Sequence, residues 1–392
     1  MNNKIKKALF ALFISALSAT GCITEYKVEL SPNDTQVLIV DGCIMENTDA
    51  IFLLSRSFSM DKVDVPEESF INYANLTLIG SNGYVSPPAI SLGRGKFRIP
   101  VEELEDDVEY GIQIVYNGDT YQSMLSKPLR TPEIDSISWK QPEAFGPVYF
   151  YVSTHGDATD SKYYTWTCTE EWEIIAQIKT TVFYSVSDNM YYHITPAPFF
   201  YCWKKIESEN YFGSAESLGE NVIINKELYQ CISSGERFSS LYSVNVHQRA
   251  ISKGAYEYYQ NIIKMNEEIG SLFAPQPTEF LGNITCITDP AKKAMGYIEV
   301  SKNTTQKKIY IYPQELTHRI DFMSCNLVSH AIIRDLGIIE SYEKGYRPAG
   351  DPNQEYLPES IYPADWSSSY CTDCTAKGGT KNRPDFWPND HQ

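Results

Sequence analysis

The chain has 392 residues, 28 of them tyrosine, with ordinary apolar content and a formal charge of −17. That length exceeds one ordinary core and predicts two domains. The acidic balance excludes nucleic acid as a partner, because a phosphate backbone needs a basic footprint, and excludes a polybasic hold on an anionic membrane.

The chain opens with Lys4, Lys6 and Lys7, followed by an apolar run from Ala8 to Ala19. The run is too short to span a bilayer comfortably. Leu17-Ser18-Ala19-Thr20-Gly21 then leads into Cys22. This pattern predicts a bacterial lipoprotein signal over residues 1–21, cut before Cys22, whose thiol and new amino group carry lipid. Ala19 stands where leucine is usual, and the competing reading is a plain secretory signal with an incidental cysteine. Each buried methylene adds about 0.8 kcal/mol, so several acyl chains on one residue hold a protein stably. Losing the signal leaves 30 basic against 50 acidic residues. Residues 22–36 are polar and aperiodic and read as a tether to the outer membrane. Glu25 and Glu29 loosely match an acidic signal for export, so display at the cell surface is expected.

Eight cysteines remain after Cys22, an even number that suits an oxidising compartment. Cys168, Cys202, Cys231, Cys286, Cys325, Cys371 and Cys374 are the disulfide candidates, and Cys43 stands apart. Eight cysteines allow 105 connectivities, so the pairing stays open.

Residues 37–131 read as short strands. The clearest hairpin is YGIQIVY-NG-DTYQSML, in which Asn117-Gly118 supplies the positive φ angles of a two-residue turn. Tyr110, Ile112, Ile114 and Tyr116 share one face. Seven or so strands over this length suggest an immunoglobulin-like or transthyretin-like sandwich. The acidic stretch Glu102 to Asp107 lacks the ligand spacing and glycine of a calcium loop, and reads as a wet edge. Two prolines in Lys127-Pro128-Leu129-Arg130-Thr131-Pro132 mark an extended link. A larger β-rich domain follows over residues 132–392.

Between Phe145 and Trp203 lie 16 aromatic residues. One reading is a packed core with tyrosine tips at its rim. The other is an exposed row that stacks on sugars or peptides, with Trp166, Trp172, Tyr191, Tyr192 and Trp203 as the candidate ligand-binding residues. Cys168 and Cys202 are placed to face each other across these strands. Glu170, Glu171 and Glu173 invite a glycosidase reading, but one acidic run on one strand does not set two carboxylates across a bond.

Residues 252–269 form the clearest amphipathic helix, with Ile251, Ala255, Tyr258 and Ile262 near one stripe and Lys253, Glu257 and Lys264 opposite. Ser252 is placed to cap its start and Gly270 to stop it. GYIEVS and KKIYIYP follow as strands, and CNLVSHAIIRDLGII reads as a short helix or strand. Residues 340–392 read as an irregular tail tied by disulfides and anchored by Trp366, Phe386 and Trp387. The six histidines have no ligand spacing, Cys371 and Cys374 lack a second ligand pair, and no phosphate-cradling or nucleophile motif occurs. No metal, cofactor or catalytic residue is expected.

The helix, the turn LFAPQPTEFLGNI, the GYIEVS strand and the CTDC…GG…RPDFWP tail resemble a lipoprotein family of the Bacteroidota, the domain of unknown function family 4249. The resemblance runs over nearly the whole mature chain. It implies an outer-membrane lipoprotein acting as accessory subunit of a TonB-dependent transporter, since members are often encoded beside such transporters. The expected role is binding or capping of substrate without catalysis. The alternatives are a surface adhesin or structural protein, and a secreted hydrolase.

Overall fold

The computed structural model describes residues 37–57, 66–215, 220–268, 282–317, 325–350 and 365–388. Cys22, expected to carry lipid, the expected tether and the expected Gly270 stop lie outside these residues. The protein is mainly β, with 46% of residues in strands and 13% helical.

The first core gathers two sheets around Phe52, Phe97, Leu76, Ile112 and Ile114. The expected hairpin pairs Tyr110–Tyr116 with Asp119–Ser123, and Asn117 and Gly118 turn it at φ 50° and 84°. Its apolar face points inward as the alternation requires: Tyr110, Ile112 and Ile114 are buried and Val115 is exposed.

The chain returns to this core late. Ile284–Cys286 pairs with Asp119–Ser123, Ala294–Met295 runs parallel to Leu38–Asp41, and Glu299–Ser301 runs parallel to Cys43–Met45. Ile284, Ile298 and Val300 are buried there. By sequence order these residues are expected in the later domain, because a strand's text does not say which sheet edge completes it.

The chain crossing at Lys127–Pro132 is stitched to the later crossing at Ser301–Thr305. Leu129 donates its amide to the Val300 carbonyl at 2.9 Å, Lys302 to that of Leu129 at 2.8 Å, and Thr131 to Asn303 Oδ1 at 3.0 Å.

The second core lies between a three-stranded sheet (Val222–Cys231, Val148–His155, Ile134–Lys140) and a five-stranded one. The latter is built on Tyr163–Ile175, which pairs with Tyr242–Ile251 on one side. On the other side it pairs with Tyr201–Glu207 and then Tyr211–Ser214. Thr305–Ile311 extends the sheet beyond Tyr242–Ile251.

The helix spans Lys253–Glu268. Ile251 and Ala255 are buried against Tyr163, with Tyr256, Tyr259, Phe212 and Tyr297 around them, while Lys253, Glu257 and Lys264 are exposed. Ser252 caps it as expected: its Oγ accepts the Ala255 amide at 3.1 Å. The same hydroxyl donates to Glu299 Oε1 at 2.7 Å, and the Ser252 amide donates to Glu299 Oε2 at 2.9 Å. The cap thus ties the helix to the strand that returns to the first core. Ser252→Ala is expected to lower stability by about 1 kcal/mol, read as a lower urea midpoint with an unchanged slope.

The stretch after Cys325 is helical, His330–Leu336 and Ile338–Glu343, broken by Gly337 at φ 91°. In the tail Trp366 and Trp387 are buried, and Phe386 is 37% exposed beside the Lys308 amine. Among the described residues two disulfides form, Cys202–Cys374 and Cys325–Cys371. Each cysteine of the CTDC pair therefore meets a partner far away in sequence, as a structural reading requires. Cys168, Cys231 and Cys286, also disulfide candidates, are buried free thiols. Cys168 does not face Cys202, whose register partner is Ile174.

Candidate functional site

The aromatic row is core. Trp166 and Trp172 are buried among Tyr164, Phe150 and Tyr242, and Trp203 packs under Trp387. Tyr191 is half-buried against Trp366 and Tyr184. Only Tyr192 of the five candidates is exposed, at 43%. Strand periodicity explains the correction: Trp166 and Trp172 sit on the face that a second sheet covers.

The alternate residues of the same strand form a different surface. Thr165 stands opposite Arg249, Thr167 opposite His247, and Thr169 opposite Asn245. Directly opposed residues of antiparallel strands share a face, so this side of the five-stranded sheet is polar. Between Tyr201–Glu207 and Tyr211–Ser214 the neighbouring chain leaves the sheet edge, and Ser208 holds this excursion by accepting the Cys168 amide at 2.8 Å. The result is a polar trough of about 380 Å³, lined by the three threonines, Glu207, Asn210, His247, Arg249 and Thr304 among others. The helix stands at one end, where Tyr259 stacks on Phe212, the register partner of Thr165. At the other end the tail crosses the same sheet: Thr380 bridges Trp203, and the Tyr310 hydroxyl donates to the Phe386 carbonyl at 3.2 Å.

Donors and acceptors in the trough are set by local bonds. Asn245 Nδ2 lies 3.2 Å from His247 Nε2 and 2.8 Å from Gln306 Oε1. Burial pushes the His247 imidazole below its usual pKa, so the ring is neutral at pH 7. With Nε2 accepting from Asn245, Nδ1 carries the proton. Arg249 donates through Nη1 to Cys43 Sγ, which reaches it from the first core. Burial pushes the Cys43 thiol up, so the thiol stays neutral, and the negative charge that acts on the guanidinium comes from Glu299. Glu299, the nearby acid, has both carboxylate oxygens engaged by Ser252.

The three glutamates of the hydrolase reading do not converge. Glu170 points into the core, where the Tyr242 hydroxyl donates to it at 2.8 Å and Arg237 lies at 3.6 Å. Glu171 and Glu173 fall on the other face, and Glu173 is fully buried and accepts from Ser240. A larger cleft of about 590 Å³ runs between Glu46, Asp106, Glu133, Asp157 and Lys302. Its lysine is already held by Glu46 at 2.8 Å and Asp106 at 2.9 Å. The smaller trough is the better candidate, because its guanidinium makes no direct ion pair and a buried hydroxyl in its lining, that of Thr165, has no hydrogen-bond partner among the described residues.

These residues were open to sequence reading through one signal, the alternation in SVNVHQRAI and TWTCTE. Positions 243, 245, 247 and 249 and positions 165, 167 and 169 are polar, and those between them are apolar or sulfur-bearing apart from Gln248, which marks strands with one wet face.

No curated protein matches the chain. The family described as Domain of unknown function (DUF4249) matches residues 23–307. That span covers most of the chain, including the first core, most of the second, the trough lining and the helix, and the protein therefore belongs to the DUF4249 family.

Proposed function

We propose that the protein is a lipid-anchored outer-membrane accessory subunit of a TonB-dependent transporter, which holds a small polar solute in the trough without covalent chemistry. The observation that carries this reading is the polar trough itself: a concave, half-sheltered sheet face with hydroxyl, amide, imidazole and guanidinium groups converging on it. Sites of this kind orient a ligand through a few placed polar groups. The lipoprotein signal ending at Cys22 supports the anchor, and the resemblance to lipoproteins encoded beside such transporters supports the partner. The separation of Glu170 from Glu171 and Glu173 removes the feature that favoured hydrolysis.

Cys22→Ala is expected to move the protein from the membrane to the soluble fraction. Gentle detergent extraction of native membranes, with capture on a tag at the C-terminus, is expected to recover a β-barrel transporter with the wild-type chain. Recovery of the lipoprotein alone would refute the transporter role.

A further inference from the structure

We infer that the solute of the trough carries an oxyanion, a carboxylate or a phosphate, which Arg249 and Thr165 hold together. This rests on the reading of the trough as a solute site and names the ligand's chemistry.

Two independent observations point to it. The first is Arg249. Its described hydrogen bond goes from Nη1 to a neutral thiol, and it makes no ion pair among the described residues. Glu299 reaches this guanidinium only through its field, with both its oxygens bonded to Ser252, so a ligand that brings a negative charge into direct contact makes the partly buried cation more favourable. With Nη1 turned to Cys43, the Nε–Nη2 edge of the planar fork is left for a second partner. That edge matches two oxygens of one carboxylate or phosphate.

The second observation is Thr165. It is 5% exposed, lines the trough, and its Oγ1 is buried without a hydrogen-bond partner among the described residues. A buried hydroxyl is normally satisfied, and an orphan calls for an explanation. Thr165 is the register partner of Arg249 and shares its face. An oxyanion seated on the guanidinium edge accepts from this hydroxyl as well. The neutral His247, one pair further along, offers Nδ1–H to a more distant part of the same ligand. The larger cleft holds Arg130 as well as a Lys302 paired with Glu46 and Asp106, but none of its lining residues carries a buried polar atom left without a partner among the described residues.

The test uses the lipidated full chain in detergent micelles and isothermal titration at fixed ionic strength. Sodium succinate, inorganic phosphate and neutral maltose are the probes. Saturable binding of succinate or phosphate is expected, and which of the two binds tells carboxylate from phosphate. Thr165→Val keeps the shape and the fold and is expected to weaken that binding roughly tenfold, the effect of one hydrogen bond to a charged group. Arg249→Lys keeps the charge but not the fork and is expected to weaken it at least as much.

Succinate and phosphate binding that is equal in wild type and both variants would overturn the inference. So would an absence of binding to either anion at millimolar concentration. Maltose binding that Thr165→Val weakens, with neither anion bound, would overturn the oxyanion and retain the trough as a solute site. If no probe of any kind binds while the transporter still co-purifies, the trough is lost and the accessory role survives.

Discussion

Trp166→Ala is expected to lower folding stability by about 3–5 kcal/mol, the usual cost of removing a buried tryptophan. Trp166 is fully buried, and its indole Nε1 donates to Gln248 Oε1 at 2.8 Å. Gln248 in turn donates to the Pro132 carbonyl at 2.8 Å and to Thr154 Oγ1 at 3.0 Å. One indole therefore fills the second core and also steadies the glutamine that holds the link between the cores. The truncation leaves a cavity, and it leaves Gln248 Oε1 without its donor in a dry site. The cavity is hard to close, because Gly213 is shaped to the indole: a Cβ on Gly213 would lie 2.8 Å from the ring. The thermal midpoint is expected to fall by on the order of 10 °C. Tyr192→Ala is the control, since Tyr192 is exposed, and it is expected to change stability by less than about 0.5 kcal/mol. If Trp166→Ala left the midpoint unchanged and weakened only ligand binding, the indole would belong to a surface row after all.

The same strand shows how much of the protein was legible. Local rules were sufficient for the Asn117-Gly118 hairpin, the Ser252 cap and the helix stripe, because each is decided by residues a few positions apart. The strand TWTCTEEWEI was legible as a strand but not as to which face matters. Aromatic side chains draw attention as stacking surfaces, yet their apolar area is what buries them first. Thr165, Thr167 and Thr169 carry no such signal individually. They become a surface only beside Arg249, His247 and Asn245, which lie some 80 residues away and join them through register. The return of Glu299–Ser301 to the first core is of the same kind. Its apolar positions say that it is a strand, and its partner at Cys43–Met45 is fixed by tertiary packing. The disulfide map also depends on packing, and only the destination of the CTDC pair, to distant partners, followed from its irregular setting.

Removing the Cys202–Cys374 disulfide is expected to produce the other large effect. Its ends are separated by 172 residues. Loop-closure entropy assigns a bond of that span about 5 kcal/mol, against about 4 kcal/mol for Cys325–Cys371, whose separation is 46. Measured effects of native disulfides run lower, so a loss of about 2–4 kcal/mol is expected for the Cys202→Ser, Cys374→Ser pair of changes. The loss has a place as well as a size. Cys374 leads into the segment that crosses the outer face of the five-stranded sheet. There Thr380 exchanges backbone hydrogen bonds with Trp203 at 2.8 Å in each direction, and Trp387 packs on Trp203 and Leu241. Without the covalent tie, this crossing is held by a few hydrogen bonds, the Thr380 pair and the Tyr310 bond to Phe386 among them, and by the Trp387 indole. The segment is then expected to open at lower free energy than the core beneath it. Trypsin is expected to cut the variant after Lys377 or Lys381 under conditions that leave the wild type whole, with a red shift in tryptophan emission as Trp203 meets water. Cutting at these sites before any loss of β-sheet signal would show that the tail is a separable cover over the end of the trough face. Loss of both signals together would show instead that the tail is part of the second core's cooperative unit. An unchanged unfolding midpoint and an unchanged digestion pattern would show that the bond contributes nothing to either.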